Sequence, residues 1–491
     1  MLSRVRRVAT VICGMAFLVF ATVAGTEGAQ LLVGSAHTSI TPDKPVGLSG
    51  ASSSRVARKV ENPVTATALA IESRDGDKML DCAIMVSCDL VAIRNGVQDI
   101  VRAAIKRKMP DFDVRKVFLN ATHSHTGPVM LQNRYLLPKT GIMQPKDYTD
   151  FLAERVSTIV AEAWKNRKPG GVSWALGHAV VAINRRVVYD NGRARMYGNT
   201  NAPNFRRVEG YEDHGIEMLF FWDAAKKLTA LAINPACPSQ EVEGHCAINA
   251  DFWHDVRERI HAKYGKGIHI LGWCGAAGDQ SPHLMWNKRA EERMRRLRRL
   301  SRTQEIARRI VRAVDSVFDL AKKDIRTNVP FAHVVRDIKL PARIVTDKEY
   351  ASYKAQYDQL AKKPKRSARD HRRMGSRKEV VDRYERQKTD RTFPMELHVL
   401  RLGDVAIATN PFELYTDYGV QIKARSRAIQ TFIIQLTGAS AYYLPTKRAV
   451  AGGSYSAEVY SNLVGPEGGK ALVHRTVDEI NALWPAKKKG K

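Results

Sequence analysis

Val117-Phe-Leu-Asn-Ala-Thr-His-Ser-His-Thr-Gly-Pro128 runs from an apolar strand into a Gly-Pro turn, with two histidines at the junction. In an extended backbone residues two apart point to the same side, so His123 and His125 are expected to present both imidazoles to one pocket. The end of a strand in an α/β protein is where such pockets form. Neutral imidazole ligates zinc well, and a second imidazole can orient the first. Taken alone, the H-x-H spacing fits two polar residues capping a strand equally well.

Working outward, Val97, Ile100, Val101, Ala104 and Ile105 recur at helical spacing just before this strand, and apolar runs over 65–72 and 79–87 precede them. Strand, helix, strand in that order predicts a βαβ unit. Phe151, Leu152, Val156, Ile159, Val160 and Ala163 mark a second amphipathic helix. A β-rich stretch follows over 172–183, 216–222 and 228–233, then a helix over 253–262 and a buried strand over 268–273. Ile306, Ile310, Val314, Val317 and Ala321 give a core-facing helix stripe. Later, 395–402 and 405–409 read as a hairpin through Gly403-Asp404, followed by a helix and a strand over 431–436. The expected fold is α/β, with mixed β-sheets flanked by helices. No internal repeat or low-complexity linker is visible, so a single catalytic unit over 30–486 is expected.

The chain has 491 residues, enough for a sizeable core, and 44% of them are hydrophobic. Lys and Arg number 79 against 50 Asp and Glu, a formal charge of +29. That charge favours anionic partners such as lipid head groups, acidic polysaccharide or nucleic acid. Neither zinc-finger spacing nor a basic recognition helix is present, so no specific nucleic-acid partner is expected. The basic runs 287–302 and 362–391 read as solvated helical faces or insertions, or else as contacts to an anionic membrane or envelope surface; Pro364 and Gly375 are expected to break any long helix in the second. Arg4, Arg6 and Arg7 followed by an apolar run to Ala24 read as a signal peptide over 1–29, giving a secreted or periplasmic protein; an uncleaved membrane anchor is the rival reading. The tail 487–491 is basic. Cys13 leaves with the signal, and Cys82, Cys88, Cys237, Cys246 and Cys274 remain. An odd count is no disulfide scaffold, although Cys237–Cys246 or Cys82–Cys88 could bridge.

Polar residues gather among Gly and Pro at four strand ends: His123/His125, Cys237 to His245, Gly278-Asp-Gln-Ser281 and Pro411-Phe-Glu413, with Tyr443 from the last region. Imidazole, thiolate, carboxylate and phenol oxygen can fill a zinc shell, but no spacing apart from that of the two histidines assembles one. Here the chain resembles the neutral ceramidases, secreted or membrane-associated zinc amidases. Asn120-Ala-Thr-His-Ser-His-Thr-Gly-Pro128 is similar to their N-A-T-H-T-H-S-G-P segment. Ser39-Ile-Thr-Pro42 is similar to their opening D-I-T, Asn184-Arg185 to N-R-S, and Gly278-Asp-Gln-Ser-Pro282 to G-D-V-S-P. Pro411-Phe-Glu413 resembles P-x-E, and Tyr443-Leu-Pro-Thr446 resembles G-Y-V-T-T. The matches are collinear and span most of 31–465.

The resemblance implies a Zn2+ site held by His123, Glu413 and Tyr443, with His125 orienting a ligand or polarising substrate. It implies that Arg185 and Tyr455 line the pocket and that Ser281 is the active-site serine, with Asp279 in the same motif. Where the family has a second histidine ligand in H-P-T-S, this chain has Ala236-Cys-Pro-Ser-Gln240. Cys237 is therefore the expected substitute, with His245 as a competing ligand. The family's further immunoglobulin-like domain is not expected at the C-terminus. The implied activity is zinc-dependent hydrolysis of an amide in a ceramide-like N-acyl lipid or a small amide. Hydrolysis of an ester, or a non-catalytic envelope-binding protein with a degenerate site, are the alternatives.

Overall fold

The computed structural model describes residues 29–484; residues 1–28 of the expected signal and the tail 487–491 lie outside them. One supersecondary unit is laid down three times. The first copy is β1 (Gln30–Ser39), β2 (Thr65–Asp75), β3 (Lys78–Cys88), α1 (Val97–Lys108), β4 (Val117–Ala121) and α2 (Pro145–Lys165). The second is β5 (Lys168–His178), β6 (Gly215–Asp223), β7 (Leu228–Pro235), α3 (Phe252–Tyr264), β8 (His269–Gly272) and, after the short α4 (Lys288–Leu297), α5 (Arg302–Lys323). The third is β9 (Phe331–Pro341), an insertion carrying α6 (Asp347–Ala361) and α7 (Ala368–Arg386), then β10 (Thr392–Leu402), β11 (Val405–Thr409), α8 (Thr416–Arg425) and β12 (Gln430–Ile434), and, past α9 (Lys447–Gly452), α10 (Pro466–Ala482).

In every copy the first three strands are antiparallel, a helix crosses over, and the fourth strand lies parallel to the third. The first two copies join edge to edge at Leu32↔Pro169 and Val33↔Lys168, making one eight-stranded sheet in the order β8-β7-β6-β5-β1-β2-β3-β4. The third copy is a separate four-stranded sheet, β9-β10-β11-β12. The expected mixed α/β class is therefore found. The expectation of no internal repeat is corrected: the repeat lives in strand order and direction, which leave no trace in residue identity.

Two-residue periodicity explains how these sheets stack. On β2, Ala66, Ala68 and Ala70 face helices α1 and α2 while Leu69 and Ile71 face the other sheet; β3 alternates likewise, with Ile84 and Val86 against Ala83 and Met85. On β6, Met218, Phe220 and Trp222 face α3 and α5, and Leu219 and Phe221 face inward. The third copy answers with Val405, Ile407, Phe432 and Ile434 inward and Ala406, Ala408 and Ile433 toward α8 and α10. Strands buried on both faces must be apolar throughout, which is why they read as continuous runs. Each fully buried Leu, Ile or Phe contributes about 1.5–3 kcal/mol. The last helix of a copy returns onto its first strand closely enough to need glycine: a Cβ on Gly34 would meet the Ala163 carbonyl at 2.2 Å, and one on Gly177 the Ala313 carbonyl at 2.8 Å.

Several local expectations are revised. The run 287–302 is helical over Lys288–Leu297, in keeping with its reading as a solvated helical face, but Gly375 sits inside α7 rather than ending it, while Pro364 does fall between α6 and α7. All five described cysteines are free, so neither Cys237–Cys246 nor Cys82–Cys88 is bridged. Among the described residues no helix is long and apolar enough to cross a membrane.

Candidate active site

The carboxyl ends of the parallel strands of all three copies meet and are laced together by main-chain bonds. The Gly278 N–H donates to the Leu414 carbonyl at 2.7 Å, Ser239 N–H to the Thr122 carbonyl at 3.2 Å, and Ala121 N–H to the Leu436 carbonyl at 3.3 Å. Gln435, buried at the centre, accepts from Leu414 N–H at 2.9 Å and Ala277 N–H at 3.2 Å through Oε1.

β4 ends at Ala121, and the chain then turns at His123 with φ +71, so the two histidines are not on one extended strand as expected. A left-handed non-glycine residue is strained, and such strain gathers at functional sites. The turn still brings the rings together: His123 Nε2 and His125 Nε2 are 3.3 Å apart. His123 Nδ1 lies 2.6 Å from the Val91 carbonyl, which can only accept, so Nδ1 carries the proton and Nε2 offers its lone pair. That Nε2 is 3.5 Å from Glu413 Oε2. His125 Nδ1 stands 3.1 Å from the Glu243 carboxylate. Burial and the neighbouring His123 outweigh Glu243 and push His125 down to about 4.

Glu413 sits on a two-residue strand paired in parallel with Tyr443, and its N–H donates to the Tyr442 carbonyl at 2.8 Å. Burial works against its charge, but the neighbouring His123, the Tyr443 hydroxyl and the field of Arg185 hold the carboxyl down at about 2. Burial, with Glu413 and Tyr455, raises the Tyr443 phenol well above its ordinary value, so it stays protonated and donates to Glu413. Tyr455 reaches the surface, its ring 6.0 Å from that of Tyr443, and forms the rim.

Arg185 is buried against both tyrosine layers, 6.0 Å from the Tyr443 ring and 5.3 Å from that of Tyr197. It donates to the Tyr197 hydroxyl at 2.7 Å and to the Gly278 carbonyl at 3.0 Å, and its Nε has no partner. Burial opposes its charge, yet Tyr197, Tyr443, Tyr455 and Glu413 raise it well above the usual value. Ser281 Oγ accepts from His283 N–H at 3.1 Å and Gln240 Nε2 at 3.3 Å, and lies 3.3 Å from the Tyr197 hydroxyl. No imidazole or carboxylate among the described residues hydrogen-bonds to it. Asp279 does not face this space: Asn184 Nδ2 at 2.9 Å, Thr416 N–H at 2.9 Å and Thr416 Oγ1 at 2.8 Å occupy its oxygens, and it acts as a clamp between the second and third copies.

The expected thiolate ligand is corrected by this geometry. Cys237 is two residues past β7, and the strand's alternation keeps it on the face of Leu231 and Ile233, in the core beneath Phe252 and Trp253. Its Sγ points to the Val181 carbonyl at 3.5 Å, and burial with Cys274 raises the thiol well above its ordinary range. His245 is not brought in either, since it pairs with Glu61 at 2.8 Å in a half-exposed position. The residue from that segment which reaches the pocket is Gln240, three positions on. Tyr197, Glu243, His283 and Gln435 also lie outside the sequence reading; the only trace is that Gln240 ends the Ala236-Cys-Pro-Ser-Gln240 segment.

Zinc bound by nitrogen and oxygen at about 2.0–2.2 Å separates its tetrahedral donors by about 3.3–3.6 Å. The spacings of His123 Nε2 to Glu413 Oε2 and to His125 Nε2 fall in that range, and the carbonyl behind His123 is the outer partner a metal-binding imidazole needs. Among the described residues no three His, Cys, Asp and Glu side chains close around one point; His123 and Tyr443, which the resemblance implies as ligands together with Glu413, both adjoin the Glu413 carboxylate.

No protein-family model matches the chain, and no curated protein matches it. Solved structures do. The fold is similar to neutral ceramidase from Pseudomonas aeruginosa, with a TM-score of 0.66 and 17% identity, covering 94% of this chain and 76% of that one. A ceramidase complexed with C2 gives 0.66 and 17%, covering 94% and 77%. The chain thus has a mixed α/β architecture built of three like units. That architecture is the neutral ceramidase fold.

Proposed function

We propose that this protein is a zinc-dependent amidase acting on an N-acyl lipid or related amide. The observation that carries the reading is the convergence of His123, Glu413 and Tyr443, delivered by two different copies of the unit, around one buried carboxylate held ionised. Those three residues would hold the metal. When bound, zinc supplies Lewis acidity that polarises a carbonyl and acidifies water.

The remaining steps belong to the chain. Arg185, buried and with Nε unpartnered, offers fixed positive charge to the carbonyl oxygen as it becomes an oxyanion. Because Arg185 donates to the Tyr197 oxygen, that hydroxyl is free to donate to Ser281. With its lone pairs taken and no base in contact, the Ser281 O–H is directed at substrate, orienting the scissile group. His125 is neutral at pH 7, and its Nε2 can take the proton of the attacking water while Glu243 steadies the imidazolium; the departing amine then receives that proton as the C–N bond breaks.

The test is elemental analysis of purified protein together with hydrolysis of matched N-acyl amides and esters. About one zinc per chain, with amide cleavage abolished by chelation and restored by zinc, is expected. Cleavage of esters alone would move the reading to an esterase, and a metal-free, inert protein would move it to a binding role.

A further inference from the structure

On the far side of His125 lies a second polar site that the amidase reading does not use. Arg94 is three residues past the carbonyl that holds His123, and only 6% of it is exposed. Its hydrogen-bond partners are two hydroxyls, Ser440 Oγ at 2.9 Å and Ser49 Oγ at 3.4 Å. Arg55, similarly buried nearby, differs in that both its terminal nitrogens donate to backbone carbonyls, those of Ser49, His125, Glu243 and His245, leaving its Nε without a partner.

Two more guanidinium groups close on the same place. Arg134 stands 5.8 Å over the Tyr442 ring with its Nε buried and unpartnered, and Arg372 of α7 stands 5.1 Å over the Tyr135 ring with one Nη buried and unpartnered. Among the described residues none of the three forms an ion pair. One neighbouring carboxylate, Glu379, accepts from the Tyr442 hydroxyl at 3.3 Å, and burial raises its pKa. The electrostatics record crowded positive charge that phenols answer in part, since Tyr442 and Tyr135 outweigh burial and raise Arg134. Burial, then Arg134, lowers Arg94 to about 9, and although burial alone would raise the Tyr135 phenol, Arg372, Arg134 and Arg94 together bring it down to about 8. Buried cations without a counter-charge are costly, and a planar donor fork is built for carboxylate or phosphate oxygens.

The place is continuous with the pocket. The Tyr135 hydroxyl accepts from Gly50 N–H at 3.0 Å, and Gly50 lies so close to His125 that a Cβ there would stand 2.7 Å from the imidazole. From the other side, Ser440 and Tyr442 immediately precede the two-residue strand that carries Tyr443.

We propose that Arg94, Arg134 and Arg372 receive an anionic group, a carboxylate or a phosphate monoester, carried by the substrate, so that the protein selects acidic N-acyl compounds over neutral ones. The word substrate rests on the amidase reading; the anion receptor does not. The test measures binding and hydrolysis of three probes with one acyl chain: N-hexanoylethanolamine (neutral), N-hexanoylglycine (carboxylate) and N-hexanoylphosphoethanolamine (phosphate).

At least one anionic probe should bind about 10- to 100-fold more tightly than the neutral one, the range expected for charge-assisted bonds. Arg372→Gln, on half-exposed α7, should cut that preference about tenfold or more with the melting temperature retained. Arg134→Gln should do the same, and Arg94→Lys stands in where Arg94→Gln does not fold. Arg293→Gln on α4, away from the cluster, should leave the preference unchanged. Equal binding of all three probes by the wild type would overturn the receptor, as would an equal loss in Arg293→Gln. A retained anionic preference with no amide cleaved would overturn the amidase reading and leave the receptor standing.

Discussion

β7 and β11 hold the same place in their respective units: each is antiparallel to one neighbour, parallel to the next, and leads into a crossover helix. Yet beyond β7 the chain buries a neutral thiol, Cys237, and beyond β11 it presents an ionised carboxylate, Glu413. The difference is one of distance and support. Cys237 is two residues out and still under α3, so the strand's alternation assigns it to the core. Glu413 is four residues out and is carried there by a second pairing, with Tyr443, that sets a new direction. Equivalent topology therefore fixes where a residue can emerge, and the pairing after the strand fixes what it faces.

The comparison breaks most visibly at Glu413. Glu413→Gln keeps the volume and removes the charge, and should lower kcat about 100-fold or more while bound zinc falls and the fold persists. Steady-state kinetics and metal content check this; wild-type turnover in this variant would place the carboxylate outside the chemistry.

A smaller effect follows from the acid beside the β7 exit. Asp251, buried at the start of α3, is pushed up to about 6 by burial, against the bonds it accepts from Val242 and Phe252 N–H. A folded-state pKa above the unfolded value means the native state holds a proton that the unfolded chain releases, so the stability Asp251 contributes is greatest below about pH 4 and is lost as pH rises through about 6. Two units correspond to at most about 3 kcal/mol. Denaturant titrations from pH 4 to 7 should show this fall in wild type and a shallower one in Asp251→Asn, where Glu241, pushed up to about 8 by burial, still contributes.

The smallest effect is expected at Cys237. Cys237→Ala should cost about 1 kcal/mol, because it trims a small core side chain, and should leave zinc and turnover intact. Loss of metal in that variant would restore the thiolate to the site and dissolve the contrast with Glu413.

Much of this was legible beforehand, and the limits have physical causes. The strands of the first unit, the helix stripes over 97–105 and 306–321, and the hairpin at Gly403-Asp404 follow from periodicity, which reports burial directly. Gly375 inside α7 was misread because a solvated helix tolerates glycine at a cost that helical neighbours can offset. The pairing of His123 with Glu413 could come only from collinear resemblance, since the partners are far apart in sequence. Cys237 was misplaced because motif alignment carries residue type but not the parity of the strand that leads into it. Gln240 and Tyr197 were missed because a neutral amide and a phenol carry no motif of their own.

In each copy the connection from first to second strand is a long excursion: 40–64, 179–214 and 342–391. Ser49, Gly50 and Arg55 come from the first, Arg185 and Tyr197 from the second, and Arg372 from the third. The groups that would handle the bond itself, His123, Glu413 and Tyr443, come instead from beyond the parallel strands. The pocket is thus written on two kinds of chain, exits of the frame that supply His123, Glu413 and Tyr443 and excursions that supply Arg185 and Tyr197. An excursion can be rewritten in sequence without disturbing the strand pairing that sets those exits.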